Sequence, residues 1–289
     1  MNRSAFLPEA GGWFSVQHVA RFVLTGADRV RYLNGQVSND VRKLVPGRAM
    51  QACVLSAKGR LDGVVWIWAE GDALIVEVDA SLAESMQMRL ERYIVADDVE
   101  IRPEAVPSLI HVIGDAAAKV PDGARTIARL GVPGVDVEGI DAGFPAGVEE
   151  LPPAIVERIR IENAVPVWGS ELGPDTLPAE AGLDRAAVDF HKGCYIGQEV
   201  VSRVESVGHV NRALRVFELI DGNPPVPGAE YFLPDGSDNR PAAIVTSVSF
   251  ALSPVVGLCY IRRGTPDDRA LESPGPASRI QLRPCVSPS

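Results

Sequence analysis

The chain has 289 residues, 46% hydrophobic and 23% charged, the make-up of a globular protein large enough for two or three domains. Its formal net charge of −10 argues against general affinity for nucleic-acid phosphates or an anionic membrane face, leaving room only for a local basic pocket. The longest apolar runs, 64–69 and 255–261, fall far short of the roughly 20 residues that a membrane span needs.

Met1-Asn2-Arg3-Ser4 is not followed by an apolar stretch of signal-peptide type, so a cytoplasmic location is expected. Residues 19–24 read as a strand and Thr25-Gly26-Ala27-Asp28 as a turn with capping residues. A short helix from about Ala27 is expected to end at Asn34-Gly35, a pair suited to a helix C-terminus. Strands are expected over 50–56, 63–69 and 73–78, separated by turns at Ala57-Lys58-Gly59-Arg60 and Glu70-Gly71-Asp72. Over 81–92 the period changes: Leu82, Met86 and Leu90 are spaced four apart, as on one face of a helix.

A second mixed unit follows Pro103 and Pro107, with strands at 109–113 and 126–130 and a short helix at 115–120. Residues 131–153 are rich in Gly and Pro and read as strand ends and loops. Pro152-Pro153 opens a helix bearing Ile155, Val156 and Ile159, and Glu162 falls at its C-terminal end. There a carboxylate meets the negative end of the helix dipole, so Glu162 reads either as a solvated surface residue or as a ligand group. A boundary is expected at 208–212. Beyond it the texture is all-β, with short strands at 213–219, 230–233, 242–250, 255–261 and 279–282, as in a small barrel or sandwich.

The segment Lys192-Gly193-Cys194-Tyr195-Ile196-Gly197-Gln198-Glu199 sets one thiol between two glycines, with a cation before it and a carboxylate after it. Val200, Val201 and Val204 then have the spacing of a buried helical stripe, which places Cys194 at or just before a helix start. Helix N-terminal charge and Lys192 would favour its thiolate. Arg203 is spaced to pair with Glu199 along the helix, or to add to a positive field with Lys192. His191 is a base toward the thiol or a surface residue. Cys53, Cys194, Cys259 and Cys285 are scattered without CxxC spacing or a histidine pair, so no metal site is expected. Cys53 and Cys259 read as buried packing. GxGxxG after a strand, Walker A and GxSxG are all absent.

Taken together, several motifs resemble the YgfZ family of folate-binding proteins. They are Leu24-Thr25-Gly26-Ala27-Asp28, Tyr32-Leu33-Asn34-Gly35-Gln36-Val37, Asp40-Val41, Ala57-Lys58-Gly59-Arg60, Ile161-Glu162-Asn163-Ala164-Val165-Pro166, Leu177-Pro178-Ala179-Glu180-Ala181-Gly182-Leu183-Asp184, Phe190, and the Lys192 to Glu199 octapeptide with Arg203. That family is similar in fold to the glycine cleavage T-protein, an aminomethyltransferase. The resemblance implies an α+β fold, a cloverleaf of two mixed α+β lobes around a central folate channel, plus a C-terminal β-barrel. The lobes would occupy 1–207, the second of them roughly 105–150, and the barrel 208–289. It further implies tetrahydrofolate as cofactor and iron–sulfur client proteins as partners, with a role in building or maintaining their clusters. Cys194 is then the functional thiol with Lys192 beside it, and Glu162 contacts the pterin. Gly197, Gln198, Glu199 and Arg203 are the motif neighbours. Tyr195 and Trp168 are either slot-lining or core aromatics.

Three roles stay open for the thiol: redox group, transient cluster or sulfur ligand, and folate-adduct nucleophile. An aminomethyltransferase using Asp97 or Asp98 as acid or base is the alternative reading, and a non-catalytic scaffold is a third. A monomer is expected, with no cluster held permanently by one chain.

Overall fold

Three antiparallel sheets organise the computed structural model, which describes residues 11–120, 123–139, 148–208, 210–234, 239–274 and 278–284. The first four residues, the 140–147 part of the Gly/Pro-rich stretch, His209 and Cys285 lie outside the described residues. The described chain opens on β1 (Gly12–Ser15) and β2 (Val19–Thr25), followed by α1 (Arg29–Gln36), β3 (Met50–Leu55), β4 (Leu61–Glu70), β5 (Ala73–Asp79), α2 (Ala83–Glu91) and β6 (Glu100–Glu104). Strands β2 to β6 form a five-stranded sheet in the order β3-β4-β5-β2-β6. Leu33 of α1 and Met86 and Leu90 of α2 are buried against Val65, Ile67 and Val76 of this sheet. Gly63 of β4 makes the contact with α2 close, since a Cβ there would lie 2.5 Å from Met86 Cε.

The second sheet joins β7 (Leu109–Ile113), β8 (Arg125–Ile127) and β9 (Gly134–Glu138) to the distant β1, in the order β1-β7-β9-β8. Sequence reading misses β1 and β6, because each has only four or five residues and is defined by a partner far along the chain, and it gives β9 only as strand ends within a Gly/Pro-rich stretch. The helix expected at 115–120 is a 3-10 turn over Gly114–Lys119. The segment is too short to nucleate an α-helix, and Val120 is extended (φ −78°, ψ 142°), as a residue before proline prefers.

α3 (Pro153–Glu162) carries proline in its first turn and packs Ile159 on Ile113, while Ile161 meets Val256 and Leu258. α4 (Gln198–Val207) leads into β10 (Arg212–Gly222), β11 (Glu230–Tyr231), β12 (Ala243–Ser249), β13 (Val256–Arg262), β14 (Leu271–Glu272) and β15 (Ser278–Leu282). These six strands run β11-β12-β13-β10-β15-β14. Phe232 and Glu272 then exchange backbone hydrogen bonds of 2.8 and 2.9 Å, joining the two edges into a barrel-like ring.

A buried charge network ties the first two sheets. Arg21 binds Glu77 and Glu138, and Arg129 spans Glu77 and Asp136. His111 Nδ1 lies 2.8 Å from Asp136. Burial lowers the His111 pKa against the pull of Asp136. Burial opposes ionisation of Asp136 as well, yet hydrogen bonds from His111 and Arg129 hold its pKa at about 2.

Candidate functional site

The Lys192 to Glu199 segment is a loop laid across the end of α1 and leading into α4. Lys192 is buried, and its ammonium donates to the main-chain oxygens of Asn34, Val37 and Asn39 at 2.6, 2.6 and 2.7 Å. All three of its donors are thereby used. Burial pulls its pKa down to about 8, with Asp40 and Asp189 pulling upward. The cation expected beside the thiol thus serves the backbone of a distant segment.

This clamp explains a departure at α1. Sequence reading stops that helix at Asn34-Gly35, but it continues to Gln36 and ends on an extended Val37 (φ −120°, ψ 157°). A left-handed glycine normally lets terminal carbonyls find partners; here Lys192 supplies the donors. Further bonds sew the same segment to the loop and its approach. Ser38 Oγ donates to Ala187 O and receives Cys53 N–H; Asp189 N–H reaches Ser38 O and Ile196 N–H reaches Gly35 O. Asn34, Ser38 and Asn39 belong to the site, and sequence reasoning missed their role.

Between these anchors Cys194 is exposed. Tyr195 next to it is buried, in one apolar cluster with Cys53, Leu55 and Val201, and its ring centroid lies 5.1 Å from Lys192 Nζ. Gly197 adopts φ +85° and caps α4. A Cβ on Gly197 would stand 2.6 Å from Ser56 O, and one on Gly59 would stand 2.7 Å from Val200 Cβ. The Lys58-Gly59-Arg60 turn therefore seats directly on the start of α4. Cys194 precedes that helix by four residues, farther out than the position at or just before the helix start that the spacing suggests.

On α4, Val201 is buried and Val200 and Val204 half-buried, which matches the expected stripe. Gln198 is half-buried, and Glu199 and Arg203 are exposed. Of the two readings of Arg203, the ion pair with Glu199 is not formed: neither residue makes a salt bridge among the described residues. Two exposed long side chains gain too little from such a pair to give up their rotamer freedom. His191 is exposed and contributes only its backbone N–H, to Asp189.

Glu162 occupies a different neighbourhood. Its Oε1 lies 2.9 Å from Nε of the fully buried Arg158 and 3.5 Å from Arg283. Arg158 in turn donates to Leu252 O and Pro254 O at the barrel's rim. These guanidinium groups offset the unfavourable helix-end position of the carboxylate. Trp168 is half-buried and packs against the clusters around Leu33 and around Tyr195, so the two aromatics share one apolar neighbourhood.

Beside α4 lies a cavity of about 190 Å³, lined by Leu177, Phe190, Val200, Val201, Val204 and Asp184 among others. Burial raises the pKa of Asp184. Cys194, Tyr195, Glu162 and Trp168 do not line it. Asp98 Oδ2 accepts Ala27 N–H and Asp97 binds Arg31, so both carboxylates have structural partners. Among the described residues no three His, Cys, Asp or Glu side chains converge on a metal position. The described chain thus presents a solvent-facing thiol on a loop fixed on both flanks, open to alkylation, disulfide exchange or thiolate ligation.

The fold defines the class. The glycine cleavage system aminomethyltransferase T of Bartonella henselae superposes on 96% of this chain and 86% of its own, with a TM-score of 0.82 at 16% identity. No protein-family model matches the chain. Among curated proteins, a mitochondrial iron-sulfur cluster assembly factor IBA57 homolog of Phaeosphaeria nodorum is 30% identical over 226 residues, 71% of this chain. The match spans 55% of that relative's length. The tRNA-modifying protein YgfZ of Sodalis glossinidius is 27% identical over 256 residues, covering 78% of this chain and 77% of the relative. The YgfZ of Yersinia pestis strain Pestoides F is 26% identical over 226 residues, with 69% and 68% covered. The chain belongs to the family of YgfZ and IBA57 proteins, built on an aminomethyltransferase T-like fold.

Proposed function

We propose that this protein is a tetrahydrofolate-binding accessory factor that supports assembly or repair of iron–sulfur clusters in client enzymes, with Cys194 as its working thiol. The observation that carries this reading is the exposure of Cys194 between Lys192, buried and hydrogen-bonded, and Tyr195, buried in an apolar cluster. Such a construction holds a reactive group still while leaving it open to a partner. The relatives' names point the same way, one to iron–sulfur cluster assembly and others to tRNA modification.

Tetrahydrofolate would occupy a central channel between the two α+β lobes and the barrel, in a cloverleaf arrangement. The residues suit it: Glu162 is a carboxylate already oriented by Arg158 and Arg283, ready to accept a pair of N–H groups from a pterin edge. Trp168, in the neighbourhood of Tyr195 rather than of Glu162, would offer half-buried aromatic surface to another part of the folate. When bound, the folate would supply one-carbon or redox chemistry of its pterin. Gly197, Gln198, Glu199 and Arg203 would shape the rim beside the thiol. Aminomethyl transfer draws less support, since Asp98 caps a backbone N–H and Asp97 is paired with Arg31.

The clients are iron–sulfur proteins, and the factor works as a cytoplasmic monomer. Among the described residues no helix is long and apolar enough to cross a membrane. Calorimetric titration with tetrahydrofolate tests the cofactor directly. Saturable binding that weakens in Glu162→Gln is expected, and no binding by wild type would remove folate from the account.

A further inference from the structure

We propose that Lys192 is a positioning residue for Cys194, acting through the main chain of residues 34–39. This rests on the reading of Cys194 as the working thiol. Three observations carry it. The ammonium is buried and gives every donor to a main-chain oxygen, so holding those bonds leaves none for a ligand or for the thiol. Its targets are one carbonyl in the last turn of α1, Asn34 O, and two in the non-helical stretch that follows, Val37 O and Asn39 O, none of which has a helical partner of its own. Two residues beyond Cys194, Ile196 N–H returns to Gly35 O in the same segment. Cys194 is therefore strung between two ties to one stretch of backbone.

This assigns the Lys-Gly-Cys order a physical role. Lys192 reaches inward, Gly193 has no neighbour within 4 Å of where a Cβ would sit, and Cys194 emerges to solvent. A methionine at 192 would fill much of the same space while leaving three carbonyls without their donor.

The test has two arms. In folded wild-type protein, competitive acylation with an N-hydroxysuccinimide ester is read by mass spectrometry at the individual lysines, of which the chain has four. Lys192 is expected to react about a hundredfold more slowly than exposed Lys58, because it must await local opening. Equal rates would overturn the clamp. In Lys192→Met, amide exchange at Ile196, whose N–H is bonded to Gly35 O, should rise by at least about tenfold, while exchange in β12 and β13 stays unchanged. The Cys194 alkylation rate should shift as buried Cys53 stays silent. Unchanged loop exchange, or a global rise in exchange with the Cys194 rate unmoved, would overturn the positioning role. If Lys192→Met does not fold, the acylation arm still decides. Neither arm depends on cluster chemistry, so failure of this proposal is distinguishable from failure of the functional reading.

Discussion

Gly197 sits so close to Gly59 that a Cβ on Gly197 would lie 3.2 Å from the Gly59 Cα. The two glycines come from motifs far apart in the chain, and their contact docks the 57–60 turn on the start of α4. Gly197 also needs its positive φ of 85°. Gly197→Ala is thus expected to lower stability by about 2 kcal/mol or more, through strain and the clash with Ser56 O. Gly193→Ala, four residues earlier, meets open space and should cost less than about 0.5 kcal/mol. Urea unfolding of the two variants checks the contrast.

Thiol reactivity should be sharply divided. Burial pushes Cys53 and Cys259 up to about 12, and both are closed to solvent, whereas Cys194 is exposed. In a Cys285→Ser background, native protein is expected to take up a single equivalent of a disulfide reagent, at Cys194. Cys194→Ser should abolish that uptake and leave the unfolding midpoint unchanged.

Acid should loosen the junction of the first two sheets. Asp136 has a folded pKa of about 2 against 3.8 unperturbed, despite burial, because His111 and Arg129 hydrogen-bond its charged form. A depressed carboxyl pKa stabilises the fold above the unfolded value. That contribution, roughly 2 kcal/mol, is lost as pH falls from about 4 toward 2. His111 acts earlier: its folded pKa is depressed below 6.5, so the unfolded chain takes up the proton first and stability falls below about that pH. Unfolding free energy measured against pH should show both declines, and His111→Gln should flatten the upper one.

Glu162→Gln should reveal two roles together. Arg158, fully buried, would lose its carboxylate partner, at a cost of about 1–3 kcal/mol in stability. Tetrahydrofolate affinity should fall about tenfold or more with loss of the charged acceptor. Denaturation and calorimetry on the same sample separate the effects; a stability loss with affinity intact would leave Glu162 a structural residue.

Much of the frame was legible from periodicity: Leu82, Met86 and Leu90 are buried along α2, and Pro153 opens α3. The burial of Cys53 and Cys259 followed from their neighbours alone. The short strand β1 was not legible, since its identity comes from pairing with β7 rather than from its own residues. Nor was the work of Lys192, whose partners are carbonyls 153 to 158 positions upstream and carry no side-chain signature. Glu162 shows the same limit: its i,i+4 partner Arg158 was within reach of spacing, but Arg283 comes from the far end of the chain. Spacing alone left the pairing of Glu199 and Arg203 open, and their helical proximity does not produce a bond.

On the proposed reading, the exposed thiol of Cys194 is what this protein uses in support of iron–sulfur clusters. The most direct measurement is the activity of an iron–sulfur enzyme in cells lacking their own copy of this factor, supplied either with wild type or with Cys194→Ala at equal abundance. Wild type should restore the activity and Cys194→Ala should not, although the variant folds and binds tetrahydrofolate normally. Full restoration by Cys194→Ala would rule out a working role for this thiol.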